Sequence, residues 1–383
     1  MNLNKALGRV ATTLIAATML ASVSAVPVFA AEIDSGGVVA GGGDVVTIKQ
    51  KIDMTGAVDA SVPSVTFTYS VAANETLTGA DSSVPAYKGI TNGVTATAAV
   101  FGDDDTKGSD DFVTETFNVD FSGVTWTGVG VYRYKLTYAK DNAAVTVPEN
   151  DALYLDVYVG NDDEGGYKVL YYVLTSDGGN LNYNENTGAY NYRRKTDSFT
   201  ADYDTYSLTV KKYITGDMAT LSDNFNFGIE FTNLPEGVQL KKDATDIEGY
   251  NDSSITATLG NENTVAISGI PALTKDGAPV SYTVSEQFAT SKGYNTKYEV
   301  NTNVAEWQGT DAEEIECVDK DGTTTMTSRS QNMSTSATNV IEFNNNKESV
   351  TPTGIVMNVA PYVLLVVVAA AGCFVFLRKR RED

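Results

Sequence analysis

The feature that most restricts the fold of this 383-residue chain is a repeated pattern of short alternating segments. Apolar and polar residues alternate over stretches rich in aromatic and β-branched residues, and Gly, Asn and Asp separate these stretches. Such a pattern is typical of β-strands. Three segments recur in the same order in both halves of the chain: Val46–Ile52 matches Leu208–Ile214, Phe67–Val71 matches Phe225–Ile229, and Tyr134–Tyr138 matches Tyr282–Glu286.

The repeat predicts an all-β protein of two tandem Ig-like β-sandwich domains, spanning residues 45–205 and 206–347. The Gly-rich residues 31–44 are expected to form a linker before them. Within the first domain, an acidic and Gly-rich turn at residues 160–166 separates two strand-like segments and predicts a hairpin. The turn lacks the alternating ligands of a calcium loop, which favours a solvated turn over a metal site, and no cofactor is expected.

The first thirty residues have the three parts of a secretory signal peptide. Lys5 and Arg9 supply the positive start, and Val10–Val28 contains no charge. The small residue Ala30 then fits the cleavage rule, so we expect the cut after it. An ordinary N-terminal helix would not explain this order of features.

An uncharged run lies near the other end of the chain, at Ile355–Leu377. It exceeds the ~20 residues that a helix needs to cross a bilayer. The basic cluster Arg378–Arg381 follows it and would stay on the cytoplasmic side. The terminal segment 348–383 is therefore predicted to contain a transmembrane helix.

Five residues precede this run: Val350, Thr351, Pro352, Thr353 and Gly354. A plain type I membrane anchor would explain the run and the basic cluster, but not the Pro-Thr-Gly. The arrangement resembles a substrate of sortase, a transpeptidase that cuts between Thr and Gly and passes the Thr carboxyl group to an amine. The first two positions depart from the usual Leu-Pro-x-Thr-Gly form and are similar to the variant signals of pilin subunits. The resemblance implies cleavage between Thr353 and Gly354, secretion, and covalent attachment to peptidoglycan.

Composition excludes several classes of function. The chain carries 49 acidic and 27 basic residues, a net charge of −22, which would repel nucleic acid and anionic membranes. It has no histidine, the commonest general base and metal ligand. Cys373 lies inside the uncharged run, so Cys317 is alone in the exported part and no intramolecular disulfide is expected there; the sequence assigns Cys317 no role.

Three strand-like segments of the second half each end an apolar face with one polar group. Alternate residues of a strand share a face, so Lys212 continues the face of Leu208 and Val210, while Lys211 points the other way. By the same rule Glu286 ends the face of Tyr282 and Val284, and Asn345 ends the face of Ile341 and Phe343. Each alone could be a solvated residue at a strand end, but a buried amine, carboxyl and amide would need one another as partners.

These segments resemble those of streptococcal-type two-domain pilins with isopeptide-linkage domains. The similarity covers the Leu-Thr-Val-Lys-Lys start, the Tyr-x-Val-Ser-Glu strand and the final Phe-x-Asn. It implies that the Lys212 amine and the Asn345 side chain join autocatalytically with loss of ammonia, and that Glu286 assists by polarising the carbonyl group and moving protons. Burial favours a neutral amine and a protonated carboxyl group, which this chemistry needs.

The first half lacks this chemistry at the matching positions. Gln50 stands for the lysine, Tyr138 for the glutamate and Ala201 for the asparagine. Lys49 and Asp202 are each one residue out of phase, so we expect no isopeptide bond there. The pilin resemblance also implies an acceptor lysine for sortase late in the first domain, and Lys195 is nearest to that place; a solvated basic turn is the alternative.

The leading interpretation is therefore a structural one: a pilin-like subunit of a Gram-positive surface fibre, with sortase, neighbouring subunits and peptidoglycan as partners. The alternative is a single wall-anchored adhesin or accessory pilin that binds a host ligand. Abundant carboxylates could serve a glycosidase, but no motif positions two of them, so the chain is expected not to be an enzyme beyond its single-turnover bond formation.

Overall fold

The computed structural model describes residues 31–32, 37–40, 43–57, 60–102, 104–148, 151–235, 238–247, 254–287, 289, 292–300, 313–314, 317–320, 323–335 and 339–349. Their regular structure is β-strand, which confirms the predicted all-β class. Within these ranges no helix is long and apolar enough to cross a membrane. The predicted signal peptide, sorting motif and transmembrane run lie outside the described residues.

The strands of the first domain precede those of the second in chain order. The first domain contains β1 (Ala31–Glu32), β2 (Val38–Ala40), β3 (Val45–Asp53), β4 (Val65–Ala73), β5 (Ala86–Lys88), β6 (Thr95–Ala96), β7 (Ala99–Phe101), β8 (Phe112–Asp120), β9 (Gly130–Lys140), β10 (Val145–Thr146), β11 (Leu153–Asn161), β12 (Tyr167–Thr175), β13 (Tyr183–Asn184), β14 (Ala189–Tyr190) and β15 (Ser198–Tyr203). The second contains β16 (Tyr206–Thr215), β17 (Phe225–Thr232), β18 (Lys241–Lys242), β19 (Thr245–Asp246), β20 (Ile255–Leu259), β21 (Thr264–Ile270), β22 (Ser281–Gln287), β23 (Asn295–Val300), β24 (Glu313–Glu314), β25 (Cys317–Lys320), β26 (Thr323–Thr327), β27 (Gln331–Asn332) and β28 (Asn339–Asn346).

The first domain has two main sheets that enclose an aromatic-rich core. One runs β10-β15-β3-β8-β6, with β1 paired to β3, and the other runs β2-β12-β11-β9-β4-β7, with β5 paired to β9. Burial alternates strictly along β3, because alternate side chains point into the core between the sheets and out of it. The predicted hairpin is present as β11 and β12, and the Asp162 side chain accepts backbone hydrogen bonds from Glu164 and Gly166 within its turn.

The second domain repeats this plan. One sheet runs β19-β18-β21-β16-β28-β23-β24 and the other β20-β17-β22-β26-β25, with β27 paired to β22. In both domains the first long strand pairs in parallel with the last: β3 with β15, and β16 with β28. Strand β15 runs toward the junction between the domains, whereas β16 and β28 run away from it. The two tandem β domains predicted from the repeat are thus observed.

Two features of the first domain differ from the expectation of a simple linker and sandwich. The segment expected to be a linker contributes β1 and β2, which pair with β3 and β12. Sheet edges carry unpaired backbone groups, so even short segments gain hydrogen bonds by adding to them. A smaller apolar cluster, which includes Val131, Tyr158 and Tyr190, also lies apart from the main core of this domain.

The link between the domains is short. Strand β15 ends at Tyr203 and β16 begins at Tyr206. Across the junction, Lys275 Nζ lies 2.8 Å from Asp141 Oδ2, and the amide of Ala143 donates to the Lys275 carbonyl at 2.8 Å. These contacts join the two domains at the ends where their connecting strands meet.

Candidate functional site

Three strands of the second domain bring Lys212, Glu286 and Asn345 to one place in its core. Lys212 lies on β16 and Asn345 on β28, where Lys212 pairs with Phe343 and Asn345 with Ile214. Glu286 lies on β22, in the opposite sheet, and pairs with Phe227. All three side chains are fully buried, at 0% exposure. Each therefore points inward, between the two sheets.

The three groups meet at a single carboxylate oxygen. Glu286 Oε1 lies 2.9 Å from Lys212 Nζ and accepts a hydrogen bond of 2.7 Å from Asn345 Nδ2. The Lys212 contact is a short ion-pair distance between two fully buried side chains. Since both nitrogens touch the same oxygen, the amine and the amide lie within two hydrogen-bond lengths of each other.

The surroundings of this amine are apolar. Lys212 Nζ lies 4.9 Å from the ring centroid of Phe225 and 5.9 Å from that of Phe227. Four buried side-chain polar atoms of the described residues have no hydrogen-bond partner, and two of them are Lys212 Nζ and Glu286 Oε2. Buried groups that lack partners are costly, which makes this site the least satisfied part of the core.

Burial pushes the ionisation of the pair toward the neutral forms. Desolvation lowers the pKa of the Lys212 amine to about 8, against the opposing attraction of Glu286. Desolvation likewise raises the pKa of the Glu286 carboxyl, although Lys212 and Asn345 oppose that shift. Burial thus favours a neutral amine beside a protonated carboxyl group over two separate charges, and a neutral amine is the nucleophilic form.

The sequence did not single out a fourth residue that touches the amide. Thr296 Oγ1, on β23, donates a hydrogen bond of 2.6 Å to Asn345 Oδ1. Glu286, expected to polarise that carbonyl group, instead contacts the two nitrogens. No motif marks Thr296; its inward position in an alternating strand was the only available signal.

The strand registers place Gln50, Tyr138 and Ala201 at the corresponding points of the first domain. Gln50 pairs with Phe199 and Ala201 with Ile52, as Lys212 pairs with Phe343 and Asn345 with Ile214. Tyr138 pairs with Tyr69, as Glu286 pairs with Phe227. These three residues supply neither an amine nor a carboxyl group, so the combination found in the second domain is missing from the first.

Aromatic packing fills the corresponding space in the first domain. The Tyr69 hydroxyl donates to Gln50 Oε1 at 2.9 Å, which satisfies this buried amide. The Tyr138 ring packs edge-on against Phe199 at a centroid distance of 4.9 Å, and its hydroxyl donates to Asp151. Lys49, one residue out of phase, faces away from the core and pairs with Asp197 at 3.2 Å.

A buried ion pair lies outside the main core of the first domain. Arg133 Nε donates to Asp156 Oδ1 at 3.0 Å, and both side chains are at most 2% exposed. Arg133 also donates to the carbonyl groups of Thr76 and Gly179, and the Tyr192 hydroxyl donates to Asp156 Oδ2 at 2.8 Å. Through Tyr192, this network holds the segment before β15 against strands β9 and β11.

Lys195, the candidate acceptor, lies at the end of that fastened segment. It is exposed, its Nζ lies 6.0 Å from the Tyr192 ring centroid, and its backbone forms an isolated bridge with Thr175. It lies just before Ser198, at the end of β15 that is farther from the second domain. The structure thus does not bring Lys195 near the Lys212 cluster, in keeping with a separate role.

The chain leaves the second domain through a clamped segment. The Lys347 amide donates to the Thr215 carbonyl, and the Lys347 carbonyl accepts from the Met218 amide. Ser349 donates from both its amide and its hydroxyl to Asp217, at 2.5 and 2.6 Å. The expected sorting motif therefore starts directly after a segment that is held against the end of β16.

Comparisons with known proteins agree with this architecture. Residues 206–347 match the family model described as Domain of unknown function (DUF7601). A pilin of Streptococcus pyogenes serotype M1 is 26% identical over 349 residues, covering 87% of this chain and 90% of the pilin. The structure of the major pilin T3.2 of S. pyogenes superposes with a TM-score of 0.55 at 21% identity, covering 81% of this chain and 99% of that chain. Another S. pyogenes major pilin superposes with a TM-score of 0.50 at 22% identity, covering 80% and 99%. The predicted resemblance to streptococcal-type two-domain pilins is thus confirmed, in sequence over most of the chain and in the fold of both domains.

Proposed function

We propose that this chain is a structural subunit of a Gram-positive surface pilus, secreted, joined to other copies by sortase and finally fixed to peptidoglycan. The observation that carries the proposal is the buried contact of Lys212 and Asn345 with one oxygen of Glu286. It occurs between the first and last strands of the domain that precedes the Pro-Thr-Gly motif. The similarity to pilins over most of the chain supports it.

In the second domain, Lys212 Nζ attacks Asn345 Cγ, and the bond from Cγ to Nδ2 breaks. The products are an amide that links the two side chains and one molecule of ammonia. Glu286 Oε1 touches both nitrogens, so the protonated carboxyl group can donate its proton to the departing amide nitrogen and take in exchange the proton that the attacking amine loses. The carboxyl group ends the reaction in its starting state.

The cross-link would carry force along a fibre. Strands β16 and β28 run parallel, so tension applied at Tyr206 and at Ser349 pulls these neighbours in shear. A covalent bond from Lys212 to Asn345 transfers that load directly from the first strand to the last. The roughly 130 residues between Lys212 and Asn345 then carry no tension.

Strand directions support joining between different copies rather than cyclisation. Ser349 follows β28 at the end of the second domain away from the junction, whereas Lys195 lies in the first domain. The four residues from Ser349 to Thr353 can span only about 14 Å, while the eight residues of β28 alone extend about 27 Å. Thr353 of one copy therefore cannot reach Lys195 of the same copy.

A gel of boiled wall extracts tests the polymerisation step. We expect a ladder of covalent multimers from the wild type, loss of the ladder in Lys195→Arg, and an unchanged ladder in the control Lys168→Arg, which alters another lysine of the first domain. A ladder that persists in Lys195→Arg would assign the acceptor to a different lysine. A single wall-linked band from the wild type would refute the polymer and favour the alternative, an adhesin or accessory pilin.

Intact mass tests the cross-link separately. We expect the exported chain to lack the mass of one ammonia molecule and Glu286→Ala to restore it. Peptide mapping should place the linkage between the peptides that contain Lys212 and Asn345. An unshifted wild-type mass would contradict the bond, and a second loss of ammonia would contradict the assignment of an inactive first domain.

A further inference from the structure

Thr296 lies at the reacting carbonyl group, in a position that its strand fixes. Strand β23 pairs with β28, and this pairing sets Thr296 opposite Asn345. Its side chain is 1% exposed, and its hydroxyl donates to Asn345 Oδ1 at 2.6 Å. This is the one hydrogen bond that Oδ1 accepts within the described part of the chain. The β-branched side chain has restricted rotamers, which helps to hold the hydroxyl in place.

We propose that Thr296 is a further catalytic residue of the cross-linking reaction, in which its hydroxyl stabilises the negative charge that develops on Asn345 Oδ1. This inference rests on the proposed bond between Lys212 and Asn345. The two residues then have different roles: Glu286 transfers protons at the two nitrogens, and Thr296 stabilises charge on the oxygen.

The reaction places transient negative charge on the oxygen that Thr296 contacts. When Lys212 Nζ adds to Asn345 Cγ, the electron pair of the carbonyl π bond moves onto Oδ1. The electron pair returns as the bond from Cγ to Nδ2 breaks, and Nδ2 leaves as ammonia with the proton delivered by Glu286. A donor already aimed at the oxygen stabilises this transient anion most strongly in a water-free core.

The contacts of Glu286 leave this task to Thr296. Its Oε1 touches Lys212 Nζ and Asn345 Nδ2, and its Oε2 has no hydrogen-bond partner. The apolar rings of Phe225 and Phe227 lie beside the amine and offer no donor to Oδ1. The Thr296 hydroxyl is therefore the group placed to respond to charge on that oxygen.

Two substitutions at this position separate chemistry from packing. Thr296→Val keeps the shape and both branches at Cβ but removes the donor, whereas Thr296→Ser keeps the donor and removes a packed methyl group. The full-length chain would be made by cell-free synthesis, translation would be stopped, and loss of ammonia would be followed over time by intact mass. We expect Thr296→Val to slow cross-linking roughly 100-fold or more, the usual effect of removing one oxyanion donor, and Thr296→Ser to stay near the wild-type rate.

A role in packing alone predicts the opposite order, because Ser leaves a cavity and Val does not. Thr296→Val that reacts as fast as the wild type, or faster than Thr296→Ser, would overturn the inference. Thr296→Val that resists a protease as the wild type does yet stays uncross-linked would support it. A wild-type chain that loses no ammonia would instead refute the bond itself, which distinguishes that failure from a failure of Thr296 alone.

Discussion

Replacing Lys212 with Met and Glu286 with Leu would remove the nucleophile and its assisting group from the second domain while preserving much of their volume. The cross-link closes a loop of roughly 130 residues, and restricting the unfolded chain by such a loop contributes about 5 kcal/mol by analogy with disulfides. For a domain of this size, roughly 2–4 °C per kcal/mol gives a decrease in its melting temperature of roughly 10–20 °C.

The double substitution isolates the covalent constraint because it leaves no buried charge without a partner. Asn345→Ala also prevents the bond but retains the buried amine and carboxyl group. Apolar side chains in place of a buried ion pair often stabilise by about 1–4 kcal/mol, so Asn345→Ala should melt below the double variant.

Calorimetry of the exported chain would measure these differences, with the transition of the first domain as an internal control. We expect the second-domain transition to fall in the order wild type, Lys212→Met with Glu286→Leu, and Asn345→Ala, while the first-domain transition stays unchanged. A double variant that melts with the wild type would refute the loop-closure argument, even if the mass showed that its bond was absent.

Three further predictions concern the first domain and the pH dependence. A triple substitution should create a second ammonia loss by intact mass, because the strand registers of the two domains coincide; it combines Gln50→Lys, Tyr138→Glu and Ala201→Asn. Asp156→Asn should destabilise the first domain by about 3–5 kcal/mol in urea unfolding, since it leaves Arg133 buried without its counter-charge, and an unaffected domain would contradict that account. The cross-linking rate should fall about tenfold per pH unit above pH 8. The reactive form of the Lys212–Glu286 pair carries one proton, and the pair loses it as pH rises through the lowered pKa of Lys212. A rate that keeps rising above that pH would exclude Glu286 as the proton carrier.

Alternation along single strands was sufficient to predict which way the key side chains point. Lys212 and Glu286 are buried, and Lys49 faces outward, as a two-residue period requires. The tandem domains could also be recognised, because each strand-like segment carries its own pattern and the order repeats. The direction of a side chain depends only on its own strand, and the repeat is found by comparing one short segment with another.

Contact between the key side chains depends on the pairing of strands that are far apart in the chain, which alternation along a single strand does not reveal. Sequence similarity suggested the trio, but only the parallel pairing of β16 with β28 and the packing of the opposite sheet bring Lys212, Glu286 and Asn345 to one oxygen. The contact of Thr296 with the amide oxygen likewise follows from the register of β23 against β28. The contact of Glu286 with the two nitrogens follows from the packing of β22 across the core. The sequence by itself thus determined the faces of the strands and the tandem plan, because both follow from near neighbours in the chain. Which groups touch was decided by the tertiary structure, because register between distant strands is set by the packing of the whole core.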